Sequence, residues 1–206
     1  MLTWLSPKAM LLGVICRPRG HVQIMSMRTM MYEADAAVTQ QAGTRIPAPV
    51  GHVLSVIEEA AESSKLWLGA AAVMAAVGGW RGRKAAVQGV AALALAQLVS
   101  NGVGKQLSDR PRPPKEWFPH DEVDDRPDSS SFPSGHTAAA IAFTAAVAPT
   151  WPAAGITCAA PAVMVAVERV QSGAHYASDV AAGASIGLLS AWLIRHAPHL
   201  IMRRWC

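Results

Sequence analysis

Charge is what this sequence has least of. Only 16% of its 206 residues are Asp, Glu, Lys or Arg, against about a quarter in soluble domains. Its 51% hydrophobic share is ordinary. Cysteine is sparse too: Cys16, Cys158 and Cys206 lie far apart with no C-x-x-C pair, so neither a disulfide framework nor a zinc site is indicated. Repeats and Gly/Ser-rich tracts are missing, which argues against solenoids and, with seven tryptophans, against a disordered chain. The apolar run Ala9 to Cys16 is too short to cross a bilayer. No small-residue cleavage site closes it, so no signal peptide follows.

The few charges are unevenly spread. Leu66 to Trp80 (15 residues), Ala85 to Gly104 (20), Thr137 to Val167 (31) and Val180 to Ile194 (15) contain none. At about 1.5 Å per helical residue the second spans about 30 Å, the thickness of a bilayer core. The third is interrupted by Pro149, Pro152 and Gly155 around Trp151, so it reads as two short helices joined by a tight turn. Trp67, Trp80, Trp151 and Trp192 sit near the ends of these stretches, the pattern of an interfacial aromatic belt. Ahead of them, Pro49 to Leu66 is amphipathic: Val53, Val56, Ile57 and Ala60 recur at helical spacing opposite Glu58, Glu59 and Glu62. That helix either lies at the interface or spans with its acidic face inward.

Three clusters carry the chemistry. Lys105 and Arg112-Pro113 are separated by six intervening residues; Pro133-Ser134-Gly135-His136 opens a helix; Arg169, His175 and Asp179 follow at spacings of five and three intervening residues. Alternating helices bring all three to one membrane face. A lysine, two arginines and two histidines converging there form a site for a tetrahedral oxyanion. A helix beginning at Ser134 adds backbone N–H groups aimed at the same anion. His175 and Asp179, four apart, can meet so that the carboxylate fixes the ring's tautomer.

In order and spacing these clusters resemble the three signature motifs of the type 2 phosphatidic acid phosphatase superfamily, over roughly Val50 to His196. The resemblance implies an all-α fold: an integral membrane bundle of about six helices, the first amphipathic and several short. These are Val50 to Leu66, Leu66 to Trp80, Ala85 to Gly104, two within Thr137 to Val167, and Asp179 to Ile194, with a very tight turn at Ser63 to Lys65. Residues 1–48 read as a basic, flexible N-terminal tail, 49–196 as the helical domain and 197–206 as a short basic C-terminal tail. By the same resemblance His175 attacks phosphorus to give a phosphohistidine and Asp179 orients it. His136 protonates the leaving oxygen and later activates water, and Lys105, Arg112, Ser134, Gly135 and Arg169 hold the phosphoryl oxygens. No metal or cofactor is implied, and the expected partners are a lipid phosphate substrate and the membrane, not nucleic acid.

Two departures stand out. Glu168 occupies the position where the family usually has Ser, beside the phosphate pocket, and can pair with Arg169. Arg110-Pro111 offers a second Arg-Pro, but only Arg112 has the family spacing from Lys105. Among rival motifs, G-x-S-x-G at Gly183 to Gly187 lies inside an apolar helix and reads as small-residue packing. Gly104-Lys105 lacks the rest of a P-loop. Ser134 near His136 hints at an intramembrane protease, which has no use for three cations. Asp121, Glu122, Asp124, Asp125 and Asp128 read as a solvated loop, and Trp117-Phe118 as a lid dipping into headgroups. Met30 or Met31 is a candidate downstream start, because six of nine methionines fall in the first 31 residues.

If the amphipathic helix crosses, eleven basic residues face away from the site and seven lie beside it. The positive-inside rule then puts the site on the extracytoplasmic side of a multi-pass cell-membrane protein. The sequence thus predicts a lipid phosphatase acting on, for example, a polyprenyl pyrophosphate or phosphatidic acid. The alternatives are a soluble acid phosphatase or vanadate-dependent peroxidase of the same superfamily, or a catalytically silent binder of anionic headgroups, which Glu168 motivates.

Overall fold

The computed structural model describes residues 14–16, 22–24, 27–43, 48–118 and 129–202. The acidic run at 121–128 lies outside them. Seven α-helices fill the described residues: α1 (Met27–Gly43), α2 (Ala48–Ala61), α3 (Lys65–Val77), α4 (Gly79–Gln97), α5 (Gly135–Val147), α6 (Pro152–Gln171) and α7 (Ala177–Met202). A short antiparallel hairpin, Val14–Cys16 against Val22–Ile24, is the only sheet among them. The bundle expected from the resemblance corresponds to α2–α7. Three helical segments are long and apolar enough to cross a membrane, Gly79–Leu107, Pro152–Gln171 and Ala177–Ala197, and α5 is a shorter apolar helix. They favour the membrane branch over the soluble alternative.

Small residues let these helices close up. One of the two core clusters on α5 is built from Ala92, Ala96, Ala138, Ala142, Ala146 and Ala191, and α5 packs most extensively on α7. There Gly183 and Gly187 meet α5 backbone so closely that a Cβ on either would lie 2.4 Å from the Ser134 carbonyl oxygen or 2.6 Å from that of Ala138. The G-x-S-x-G string is therefore a helix contact. Between α2 and α3, Ser63 and Ser64 adopt φ of 51° and 64°, left-handed values that reverse the chain in the tight turn the sequence calls for. The α5–α6 break falls at residues 148–151.

Several expectations change. Residues 27–43, assigned to a flexible tail, form α1, and the C-terminal helix runs on to Met202 instead of ending near Ile194. Trp67 is not interfacial: it is 2% exposed and packs against Phe143 with ring centroids 5.5 Å apart. Trp80 and Trp192 are exposed. Phe118 is buried and Trp117 stands edge-on to Tyr176 at 6.4 Å, so the pair packs inward and is no headgroup lid. On α2 the buried residues are Leu54 and Ala61, while Val53 and Val56 are exposed.

The course of α2 bears on orientation. Gly51 lies against the Gln171 side chain and Glu58 pairs with Arg169. Two contacts seven positions apart on α2, about 10 Å of rise, therefore fall on residues two positions apart on α6, about 3 Å. Thus α2 runs across the catalytic end of the bundle, and α1 is hydrogen-bonded to the start of α7 there. The charge count that pointed to an extracytoplasmic site assumed that α2 crosses the bilayer, and an α2 lying across that end removes this support.

Candidate active site

The three clusters meet around a cavity of about 250 Å³ whose wall includes Lys105, Arg112, Gly135, His136, Arg169 and His175. The end of α4 explains how Lys105 gets there. After Gln97 the helix widens into a π-helical stretch, Leu98–Gly104, and then tightens into a 3₁₀ turn, Lys105–Leu107. Such irregular turns shift the register of a helix face and are frequent at functional sites. Here the shift accompanies Asn101 and Lys105 on one wall. Lys105 Nζ reaches Ser129 Oγ at 3.3 Å. Ser63, Ser64 and Gln97 add neutral donors and acceptors to the lining, and Gln97 Nε2 donates to Ser64 Oγ at 2.9 Å. A Cβ on Gly135 would fall 2.5 Å from Asn101 Oδ1, so glycine is what lets the α5 N-terminus open directly onto this wall.

His175 is 3% exposed, and its Nδ1 lies 2.5 Å from the Ser131 carbonyl oxygen. A carbonyl only accepts, so Nδ1 carries the proton and Nε2 keeps its lone pair. Burial first, then the Arg112 charge, push the ring well below its ordinary titration range, which keeps it neutral. Arg112 Nη1 donates to the Ala174 carbonyl at 2.6 Å, beside that ring. Burial first, then the Arg169 charge, also lowers the Arg112 guanidinium from its ordinary value, against the opposing pull of Asp179.

Asp179 does not take the role expected of it. Its Oδ2 is 3.9 Å from His175 Nδ1, beyond hydrogen-bond reach. That oxygen accepts instead from the Tyr176 backbone N–H at 2.9 Å, and Oδ1 pairs with Arg110 Nη1 at 2.6 Å. Carrying no charge, the Ser131 carbonyl orients the ring where the sequence pointed to a carboxylate. Ser134 likewise turns away: fully buried, its hydroxyl bonds Thr137 Oγ1 at 3.0 Å, and it is absent from the cavity wall.

Glu168 is buried and pairs with Arg169 Nε and Nη2, while Glu58 Oε1 reaches Arg169 Nη2 at 2.7 Å. One of the three cavity cations is thus clasped by two carboxylates. Sequence reasoning missed Glu58, whose only signal was an acidic helix face, and Ser131, whose contribution is backbone and leaves no side-chain signature. Among the described residues no group of three His, Cys, Asp or Glu is placed to hold a metal.

Comparison with known proteins places the arrangement. Residues 85–203 match the family model described as the PAP2 superfamily. A segment of 62 residues, 30% of this chain, is 45% identical to a lipid A 1-phosphatase of Rhizobium johnstonii, and 57 residues are 46% identical to a lipid A 1-phosphatase of Rhizobium etli. These matches span only about a quarter of those relatives' length, 24% and 25%. In three dimensions the chain resembles the transmembrane PAP2-type phosphatidylglycerolphosphate phosphatase of Bacillus subtilis, with TM-score 0.62 and 23% identity over 84% of this chain and 88% of that one. It also resembles Aquifex aeolicus LpxE, with TM-score 0.59 and 19% identity over 77% and 92%. With more than half its length matched by the family model and its helices arranged as in membrane members, this chain belongs to the PAP2 superfamily.

Proposed function

We propose that this chain is a multi-pass membrane phosphatase that hydrolyses a lipid phosphate or lipid pyrophosphate through a phosphohistidine on His175. The observation that carries the reading is one cavity holding Lys105, Arg112, Arg169 and both histidines, with His175 Nδ1 committed to a carbonyl. In the first step the Nε2 lone pair forms the P–N bond as the P–O bond to the lipid breaks, and a proton from His136 goes to the departing oxygen. Lys105, Arg112, Arg169 and the Gly135 N–H neutralise the charge on the phosphoryl oxygens. In the second step His136 takes a proton from water as the water oxygen attacks phosphorus. The P–N bond breaks, inorganic phosphate leaves and His175 returns to its neutral form.

The neutral part of the lining, Ser63, Gln97 and Asn101, bears on the substrate. A bare hydrocarbon placed against it leaves those groups without partners, whereas a hydroxyl- or amide-bearing head satisfies them. Together with the relatives named for lipid A, this favours a phosphorylated glycolipid head as the first substrate to try. The test is purified protein in detergent, with EDTA, against glycolipid phosphate, phosphatidic acid, phosphatidylglycerol phosphate and polyprenyl pyrophosphate. Phosphate release that survives the chelator and is lost in His175→Asn supports the reading. Release from none of them, with vesicle binding retained, favours the silent headgroup binder.

A further inference from the structure

Helix α1 reaches the catalytic end of the bundle, although the matched family region begins only at residue 85 and the two-step reaction uses nothing from α1. Tyr32, Asp35 and Thr39, spaced three and four apart on one helix face, all land on the three residues that follow His175. The Tyr32 hydroxyl lies 3.1 Å from that of Tyr176. Thr39 Oγ1 accepts from the Ala177 N–H at 3.1 Å, and Asp35 Oδ1 accepts from the Ser178 N–H at 3.0 Å.

We infer that Asp35 is a positioning residue for phosphoryl transfer, holding the His175 ring in its attacking orientation through Arg110 and Ser131. The inference rests on the phosphatase reading above. Arg110 is the hub of the chain of contacts. Its Nη2 pairs with Asp35 Oδ2 at 2.6 Å, its Nη1 with Asp179 Oδ1 at 2.6 Å and Ser178 Oγ at 2.7 Å, and its guanidinium lies 4.0 Å above the Tyr176 ring. With both ends of the fork held, its backbone is held too. The Arg110 carbonyl accepts the Ser131 N–H at 3.0 Å, and Ser131 Oγ donates to the Pro111 carbonyl at 3.1 Å. The Ser131 carbonyl is the group that fixes His175 Nδ1. Remove the Asp35 charge and Arg110 keeps a single carboxylate, so its fork follows Asp179 alone and the segment it anchors loosens.

The charge state of Asp35 suits this task. Burial alone pushes its carboxyl up, but hydrogen bonds from Ser178 and Arg110 hold it below the ordinary carboxylate value. Asp35 therefore stays ionised under working conditions. It does not line the cavity, so its influence falls on the nucleophile and not on the phosphate cradle.

The test uses the full chain in detergent. Asp35→Asn lowers kcat about tenfold, as loss of an outer partner commonly does, with KM within about twofold because Lys105, Arg112 and Arg169 are untouched. Asp35→Glu restores most of kcat. Asp35→Asn added to Arg110→Gln costs little more than Arg110→Gln alone, since the two act through one path. Independently of turnover, the Nδ1 proton resonance of His175 in ¹⁵N-histidine-labelled protein, identified by its loss in His175→Asn, shifts in Asp35→Asn. Unchanged kcat in Asp35→Asn, a rise confined to KM, or equal losses in Asp35→Asn and Asp35→Glu with a lowered Tm each overturn the inference. If the unmutated chain hydrolyses no lipid phosphate, the phosphatase reading fails. The resonance then decides the Asp35 linkage by itself, a shift supporting it and an unmoved signal overturning it.

Discussion

Arg110 and Arg112 stand two residues apart in one segment outside any helix or strand, and each is followed by proline, yet they serve two different regions. Arg112 faces the cavity among other cations and touches the Ala174 carbonyl beside the nucleophile. Arg110 faces outward into a shell of Asp35, Asp179, Ser178 and Tyr176. The two side chains diverge in the partners they meet: Arg112 meets a backbone carbonyl beside the nucleophile, whereas Arg110 meets two carboxylates. One region gathers positive charge for a phosphate to neutralise, and the other neutralises itself and so holds the first in shape.

The sharpest way to break this contrast is at the nucleophile. His175→Asn is expected to abolish phosphate release, by on the order of 10⁴-fold or more, while the protein still elutes and melts as a folded species. Next come the two arginines. Arg112→Gln lowers kcat/KM by about 10²–10³-fold, the usual loss of one fixed donor to a developing oxyanion, with little change in Tm. Arg110→Gln leaves the fully buried Asp179 without its cation and costs about 3–5 kcal/mol of stability, read as a large fall in Tm. Similar effects of both substitutions on Tm would erase the distinction between the regions.

Smaller effects follow from the depressed titration of His175, which arises from burial and then Arg112. The neutral ring is the active form, so the acid limb of kcat/KM lies below the ordinary imidazole value of about 6.5. Stability moves with the same sign. Below pH of about 6.5 the unfolded chain protonates this histidine while the native one does not, so the folded state loses ground as pH falls through that window. His175→Asn flattens the pH dependence of Tm there. Smallest is Glu168→Ser, which removes one of the two carboxylates on Arg169 and is expected to lower KM about two- to fivefold, within the modest range of a single ion pair.

The cavity residues were legible because this chemistry demands particular side chains at helix ends, and charge is rare enough in this sequence for the spacings to stand out. The membrane helices were legible for the same reason, as long uncharged runs. The supporting shell was much less so. Ser131 acts through a carbonyl that any residue supplies. Arg110 sat beside a better-spaced Arg-Pro. Asp35 lies in a methionine-rich helix without a clean apolar stripe, so α1 read as tail. Whether α2 spans or lies across the end depends on Gly51 and Glu58 meeting the same turn of α6, a tertiary fact that periodicity does not carry.

The central claim is that His175 becomes covalently phosphorylated. Rapid acid-free quenching of the purified chain during turnover of a lipid substrate carrying ³²P at the scissile phosphate, followed by peptide mapping, tests it most directly. Label that is stable to base, labile to acid and located on His175 is the expected result. Turnover with no label on His175, or label retained by His175→Asn, would contradict the account.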